Sequence, residues 1–206
     1  MQSDRQIQLM FIGEAKSLDF LNSIMRPETG VVDWMETGTD VLRWFVLSDL
    51  ATEDEVALVM RDTASLGRYM QEIREFREEF RSFVAEISED PSRVAGHGMV
   101  ARINGILGNT AQVLQIESAM DATNRPYQLT YHSQLRGPED LLPRIAATCA
   151  QLICEADLRF VKNCEAEDCS LYFLDVSKSH RRRWCSMEVC GNRAKAAAYR
   201  KSKQRP

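Results

Sequence analysis

Four cysteines near the C-terminal end constrain this chain more than any other feature. Cys164 and Cys169 form one C-x4-C pair, and Cys185 and Cys190 form a second beyond the segment 170–184. A short loop turns its two sulfurs toward a common point. Two such loops joined by a hairpin-length segment can therefore surround a single tetrahedral Zn²⁺, although this spacing lies at the wide end of the usual ligand range. Four thiolates leave no open coordination position for water or substrate, so the expected ion is structural, one per chain, held by Cys164, Cys169, Cys185 and Cys190.

The flanking residues supply a scaffold for such a site. Leu171 to Val176 is rich in β-forming residues, Ser177 to His180 is turn-like, and Arg181-Arg182-Arg183-Trp184 reads as a returning strand. After Cys190, the run Ala194 to Arg200 consists of strong helix formers, with Ser186 available as N-cap and Glu188 placed to complement the helix dipole. Gly191, which lacks a Cβ, is read as letting backbone N–H groups approach the thiolates.

These residues carry a resemblance. Trp184-Cys185-Ser186-Met187 and Cys190-Gly191-Asn192-Arg193-Ala194-Lys195, preceded by Cys164-x4-Cys169 and Phe173-Leu174-Asp175, resemble the CGNR zinc-finger family of bacterial proteins. In that family the finger follows an N-terminal domain called ABATE, described as a putative stress-induced transcription regulator. Leu18-Asp19-Phe20-Leu21-Asn22-Ser23 looks like the family's Leu-Asp-Phe-x-Asn-Thr signature, with Ser23 in the Thr place. The two resemblances together cover nearly the whole chain, and they imply DNA binding.

Charge distribution agrees with that implication. From Ser177 to Pro206 there are ten Lys or Arg against the single acid Glu188, a net of +9, whereas the other 176 residues carry 16 basic and 29 acidic groups, a net of −13. A cationic end suits a phosphate backbone and an acidic body repels it. Candidate contacts are Arg181, Arg182 and Arg183 on the expected hairpin, Arg193, Arg200 and Lys203 on one helical face, and Lys195 nearer Tyr199. The first residues lack a signal-peptide pattern and no apolar run reaches the ~18 residues of a membrane span. A cytoplasmic protein without membrane contact is expected, in which reducing conditions keep thiols free of disulfides.

Along the rest of the chain, Gln6 to Phe11 alternates like a strand, followed by a helix through Leu18 and Leu21 to Met25. Asp19 and Asn22, one turn apart, are read as satisfying the neighbouring loop. Asp40 opens a brief helix to Leu47, and Trp34 and Trp44 are read as core. Thr52 and Glu55 form a capping box that starts a helix of up to ten turns ending before Pro91, with a candidate break near Gly67. Val94 to Leu107 reads as another helix, with His97 near its start as a structural residue. Ala111–Glu117 and Tyr127–His132 are expected to pair as an antiparallel hairpin around a loop at 121–126. Pro138 begins a helix with a Leu141, Ile145, Cys149, Leu152, Ile153 stripe that continues through Leu158 toward Cys164. Cys149 and Cys154 diverge by ~140° on it and are read as core thiols.

The expected fold is mostly α with small β hairpins (α+β): a helical ABATE-like domain over 1–158 and a treble-clef-like zinc finger with a basic C-terminal helix over 159–206. No nucleophile motif, phosphate-binding glycine loop or HExxH is present, so an enzyme is not expected. The leading reading is nucleic-acid binding, DNA favoured over RNA, by the finger, while the N-terminal domain senses a signal or self-associates as a homodimer. The rival is a zinc-stabilised protein-interaction module.

Overall fold

The longest element, α4 (Thr63–Glu89), is a central strut. In the computed structural model, which describes residues 11–26, 30–110, 112–118 and 127–203, Leu66, Met70, Ile73, Phe76, Phe80, Phe83, Val84 and Ile87 are all buried on one side of this helix. Their spacing of three and four residues places them on one stripe. Each such side chain contributes roughly 1.5–3 kcal/mol when fully buried, so this stripe is the main source of cohesion.

Around it pack α1 (Lys16–Asn22), α2 (Gly38–Leu47), α5 (Gly98–Leu107) and α6 (Leu141–Glu155), and α3 (Glu53–Val59) packs on α2. Phe20, Trp44 and Phe45 are buried, and the Trp44 ring meets the Phe20 ring at 5.9 Å and the Phe45 ring at 5.7 Å. Trp34 packs against the same core while staying half-buried. Two helix starts are fixed by reciprocal capping boxes, Thr37 with Asp40 and Thr52 with Glu55. His97 caps α5 by accepting from Met99 N at 3.0 Å, a structural role as expected.

Three two-stranded antiparallel sheets complete the chain: β1 (Ile24–Met25) with β2 (Val32–Asp33), β3 (Gln112–Ser118) with β4 (Tyr127–Ser133), and β5 (Val161–Asn163) with β6 (Tyr172–Leu174). A final helix, α7 (Asn192–Lys203), follows a wide π-type turn at Met187–Gly191. The fold is thus mostly helical with small β hairpins. Among the described residues no helix is long and apolar enough to cross a membrane.

Several local expectations are corrected. Helix α1 stops at Asn22, because Ile24 and Met25 are taken by the β1–β2 pair. The break after the Thr52 cap falls at Met60–Asp62, where Asp62 accepts from Ser65 N and restarts the helix; Gly67 lies inside α4. The chain approaches Cys164 as the strand β5, since α6 ends at Glu155. Cys154 is exposed, and only Cys149 of that pair is a core thiol. The expected hairpin is present as Gln112–Ser118 paired with Tyr127–Ser133, in the register Gln112↔Ser133 through Ser118↔Tyr127, and Ala111 lies outside the described residues. The expected strand over Gln6–Phe11 falls outside the described residues except for Phe11, and so does the loop at 121–126.

Candidate metal centre and its docking on the helical body

Cys164 and Cys169 sit in the turn of the β5–β6 hairpin, and Cys185 and Cys190 lie in the segment that leads into α7, Cys190 within the turn at Met187–Gly191. This is a treble-clef-like arrangement, with one pair on a knuckle and the other at a helix start. The run Arg181–Trp184 is not the returning strand that its composition suggested; β6 pairs with β5, and residues 181–184 pass as an irregular segment whose Arg183 carbonyl accepts from Glu165 N at 3.0 Å. Ser186 is the N-cap, accepting from Val189 N at 3.4 Å. Gly191 closes the same turn. Its N–H donates to Ser186 O at 2.9 Å, and a Cβ there would lie 2.8 Å from Met187 Sδ.

The four cysteine sulfurs lie within 4.8 Å of one another. Cys169 Sγ is 3.7 Å from Cys185 Sγ, which is 3.5 Å from Cys190 Sγ, and all four thiols are free. A tetrahedron with metal–sulfur bonds of about 2.3 Å has edges of about 3.8 Å. The donor set is therefore sized for one such ion, and it is too open for disulfides, whose sulfurs stand at about 2.05 Å. The four thiols are close enough to bias one another's ionisation. Hydrogen bonds from Cys169, Cys185 and Cys190 push the Cys164 thiol down, and its thiolate in turn pushes Cys169 and Cys185 up. Four thiolates coexist at this spacing only around a cation. Cys185 N donates to Cys164 Sγ at 3.3 Å and Arg193 donates to Cys190 Sγ at 3.1 Å, the kind of outer hydrogen bonds that orient metal-bound sulfur.

Behind the cluster, Asp175 anchors the loop. Its buried carboxylate accepts from Lys162 Nζ at 2.7 Å, Ser177 Oγ at 2.6 Å, Ser177 N at 3.1 Å and Arg182 N at 2.9 Å. Burial would raise its pKa, but these donors prevail and hold it well below the usual carboxylate range. His180 stacks on Phe160 with ring centroids 3.7 Å apart.

The structure places the candidate contacts unequally. Arg181, Lys195 and Arg200 are exposed and form no ion pair among the described residues. Arg183 is exposed but pairs with Glu165 at 2.6 Å, and Lys203 Nζ stands 5.0 Å from the Tyr199 ring. Arg193 is exposed with one arm on the Cys190 sulfur. Arg182 is internal to the architecture: it donates to the carbonyls of Trp184, Cys185 and Ile12, pairs with Glu14 at 3.3 Å and covers the Phe173 ring at 4.3 Å.

The finger is docked firmly on the helical body. Asn22 bonds Tyr172 through both ends of its amide, Leu174 N donates to Gly13 O at 2.8 Å, and Val161 and Tyr172 belong to the main hydrophobic core. Ser23 donates to Phe20 O and accepts from buried Arg77, which also grips Asp33. Asp19 Oδ1 accepts from Gly13 N at 2.8 Å. The Leu18–Ser23 segment is thus a joint between body and finger. Asn22 serves a partner 150 residues away and not the neighbouring loop.

Comparison with known families matches this layout. Residues 14–156 match the ABATE family model, described as "Putative stress-induced transcription regulator". The chain belongs to the ABATE family. Residues 161–203 match the CGNR zinc finger. No curated protein matches the sequence. The ABATE match ends just before β5, and the CGNR match spans the β5–β6 knuckle, the second cysteine pair and α7. This ABATE protein therefore carries a C-terminal metal-binding finger.

Proposed function

We propose that this protein is a DNA-binding transcription regulator of the cytoplasm. One structural Zn²⁺ held by Cys164, Cys169, Cys185 and Cys190 fixes a finger over 159–206. The domain over 1–158 receives a signal or self-associates. Bound zinc would neutralise the thiolates and lock the knuckle to the start of α7, leaving no coordination position for chemistry. The observation that carries the reading is that Arg181, Lys195 and Arg200 are exposed at the cationic end of an acidic chain, in the same finger as the four-cysteine cluster. Both family descriptions, regulator and zinc finger, are regulatory and not enzymatic.

Arg181, Lys195 and Arg200 form the core of the phosphate-contacting set. Arg183, Arg193 and Lys203 join it at the rim, where their present partners are exposed or weak. Arg182 supports the set from beneath. The test is a mobility shift of labelled genomic fragments by zinc-loaded protein at two ionic strengths, with matched RNA in parallel. Each lost phosphate contact lowers the salt slope by about 0.9, so changing Arg181, Lys195 and Arg200 together to Ala should weaken binding and flatten its salt dependence. An unchanged shift in the triple variant refutes the reading. Binding of a protein partner that is indifferent to salt would instead favour an interaction module.

A further inference from the structure

A cleft of about 630 Å³ separates α4 from the finger. Arg26, Arg81, Ser88 and Glu89 line it from the helical body, and Ser170 and Tyr172 line it from the finger. Its size is that of a metabolite pocket.

Cations outnumber acids along the cleft, with Arg26, Arg81, Lys162 and Arg182 against Glu89 and Glu165, and a further arginine, Arg77, lies behind it. Arg26, Arg77 and Arg81 share the Glu78 carboxylate, at 2.9, 3.8 and 3.7 Å respectively, and Asp33 adds a second acid only for Arg77. Three guanidinium groups thus face two carboxylates. Arg81 carries the deficit: its side chain is 13% exposed, it donates to the Leu21 carbonyl, and its Nε is buried without a hydrogen-bond partner. Burial, with Arg26 and Arg77 nearby, disfavours its charge despite Glu78. On the finger side, Ser170 Oγ is also buried without a partner. A buried polar atom without a hydrogen bond is costly, and each of these two belongs to a residue that lines the cavity, one on each side.

Guanidinium only donates, and a hydroxyl can donate too, so the complement of both is an acceptor-rich anion. Glu89 is exposed beside the cleft and Glu165 lies on the finger side, held by Arg183. We propose that this cleft binds a small oxyanion-bearing metabolite, phosphorylated or polycarboxylate, with Arg81 as its charge partner on the helical body and Lys162 facing it from the finger. A ligand there touches both the helical body and the finger. The assignment deepens the signal-receiving half of the reading above and rests on that reading only for its regulatory consequence.

The test is calorimetric titration of the full-length, zinc-loaded protein with inorganic phosphate and, separately, citrate at low ionic strength. Saturable millimolar or tighter binding is expected, weakened roughly tenfold or more, about 1.4 kcal/mol, by Arg81→Gln and by Ser88→Glu. The Glu variant at position 88 places a like charge on the cleft wall without touching Arg81, so it decides the matter if Arg81→Gln fails to fold. Saturation by phosphate alone identifies a phosphorylated ligand, and saturation by citrate alone a polycarboxylate. The Arg181, Lys195 and Arg200 triple variant should titrate like wild type. Absence of saturation by both probes, wild-type affinity in Ser88→Glu, or loss of binding in the triple variant overturns the proposal. Anion binding without a DNA shift leaves the cleft standing and removes the DNA reading, and the converse result does the reverse.

Discussion

The Asn22 side-chain amide pairs with both main-chain polar groups of Tyr172, donating to its carbonyl at 2.9 Å and accepting from its N–H at 2.9 Å. Asn22 is fully buried, so no water replaces these bonds. A backbone-mimicking amide is the one short side chain that both donates and accepts in this geometry. Asn22→Ala should therefore cost about 2–4 kcal/mol, because it leaves two buried backbone groups unpaired. Asn22→Asp should cost at least as much, since a carboxylate accepts from Tyr172 N but faces its carbonyl with a like dipole. Urea unfolding measures the loss, and hydrogen exchange across β5 and β6 should rise in both variants before that of α4.

Asp19 gives the same joint a pH dependence. Burial, only partly offset by the Gly13 N–H, pushes its carboxyl up to about 7, with Glu14 adding to the rise and Lys16 opposing it. A folded-state pKa above the unfolded one favours the protonated form, so the stability linked to this group is complete below about pH 4 and is lost as pH rises through about 7. Asp33 and Asp175 act in the opposite sense. Burial would raise both, but Arg77 and Lys162 respectively help hold them low, so their contributions disappear on acidification. Asp19→Asn should remove the neutral-range decline alone: its urea midpoint at about pH 8 should gain on wild type relative to about pH 5. Parallel profiles would contradict this account.

Sequence periodicity captured what is repetitive. The α4 stripe from Leu66 to Ile87, the Thr52–Glu55 box and the β3–β4 hairpin are all local patterns, and each is found where the spacing put it. The cysteine cluster was legible for a related reason: two identical spacings describe two loops, and thiolates have few other uses in that pattern. What failed was partner choice. Arg181-Arg182-Arg183-Trp184 looks like a strand, yet β6 finds its partner in Val161–Asn163, because Val161 and Tyr172 can then enter the main core. Likewise three consecutive arginines look equivalent in sequence, and only tertiary contacts separate exposed Arg181 from Arg182, whose guanidinium reaches Ile12 and Glu14 more than 165 residues away. Buried Arg77 gave no local signal either, since Asp33 and Ser23 are distant in the chain.

That separation of adjacent arginines is itself testable. Arg182 spans body, knuckle and Phe173, so Arg182→Ala leaves several carbonyls short of a donor and should destabilise the protein by about 2–4 kcal/mol. Arg181→Ala alters an exposed side chain and should stay within about 0.5 kcal/mol of wild type. Nucleic-acid affinity, measured at equal folded fraction, should fall for Arg181→Ala. For Arg182→Ala, measured in the same way, it should stay at the wild-type value. Thermal denaturation alongside titration of a labelled fragment separates the two effects.

Thiol counting reports the metal centre without any assay of function. Cys154 is exposed and Cys149 is fully buried, its thiol pushed up by burial, while the other four cysteines form the cluster. With zinc bound, a thiol reagent should label one cysteine quickly, Cys154. Structural zinc contributes roughly 10–16 kcal/mol of binding free energy in comparable sites, so a strong chelator should release the finger while the α4-centred core persists. Labelling should then rise to five, with Cys149 reacting last, under denaturant. Metal analysis should give one zinc per chain before chelation and none after. Labelling of five cysteines in untreated protein of full zinc content would show that the sulfurs at 164, 169, 185 and 190 are not the ligands.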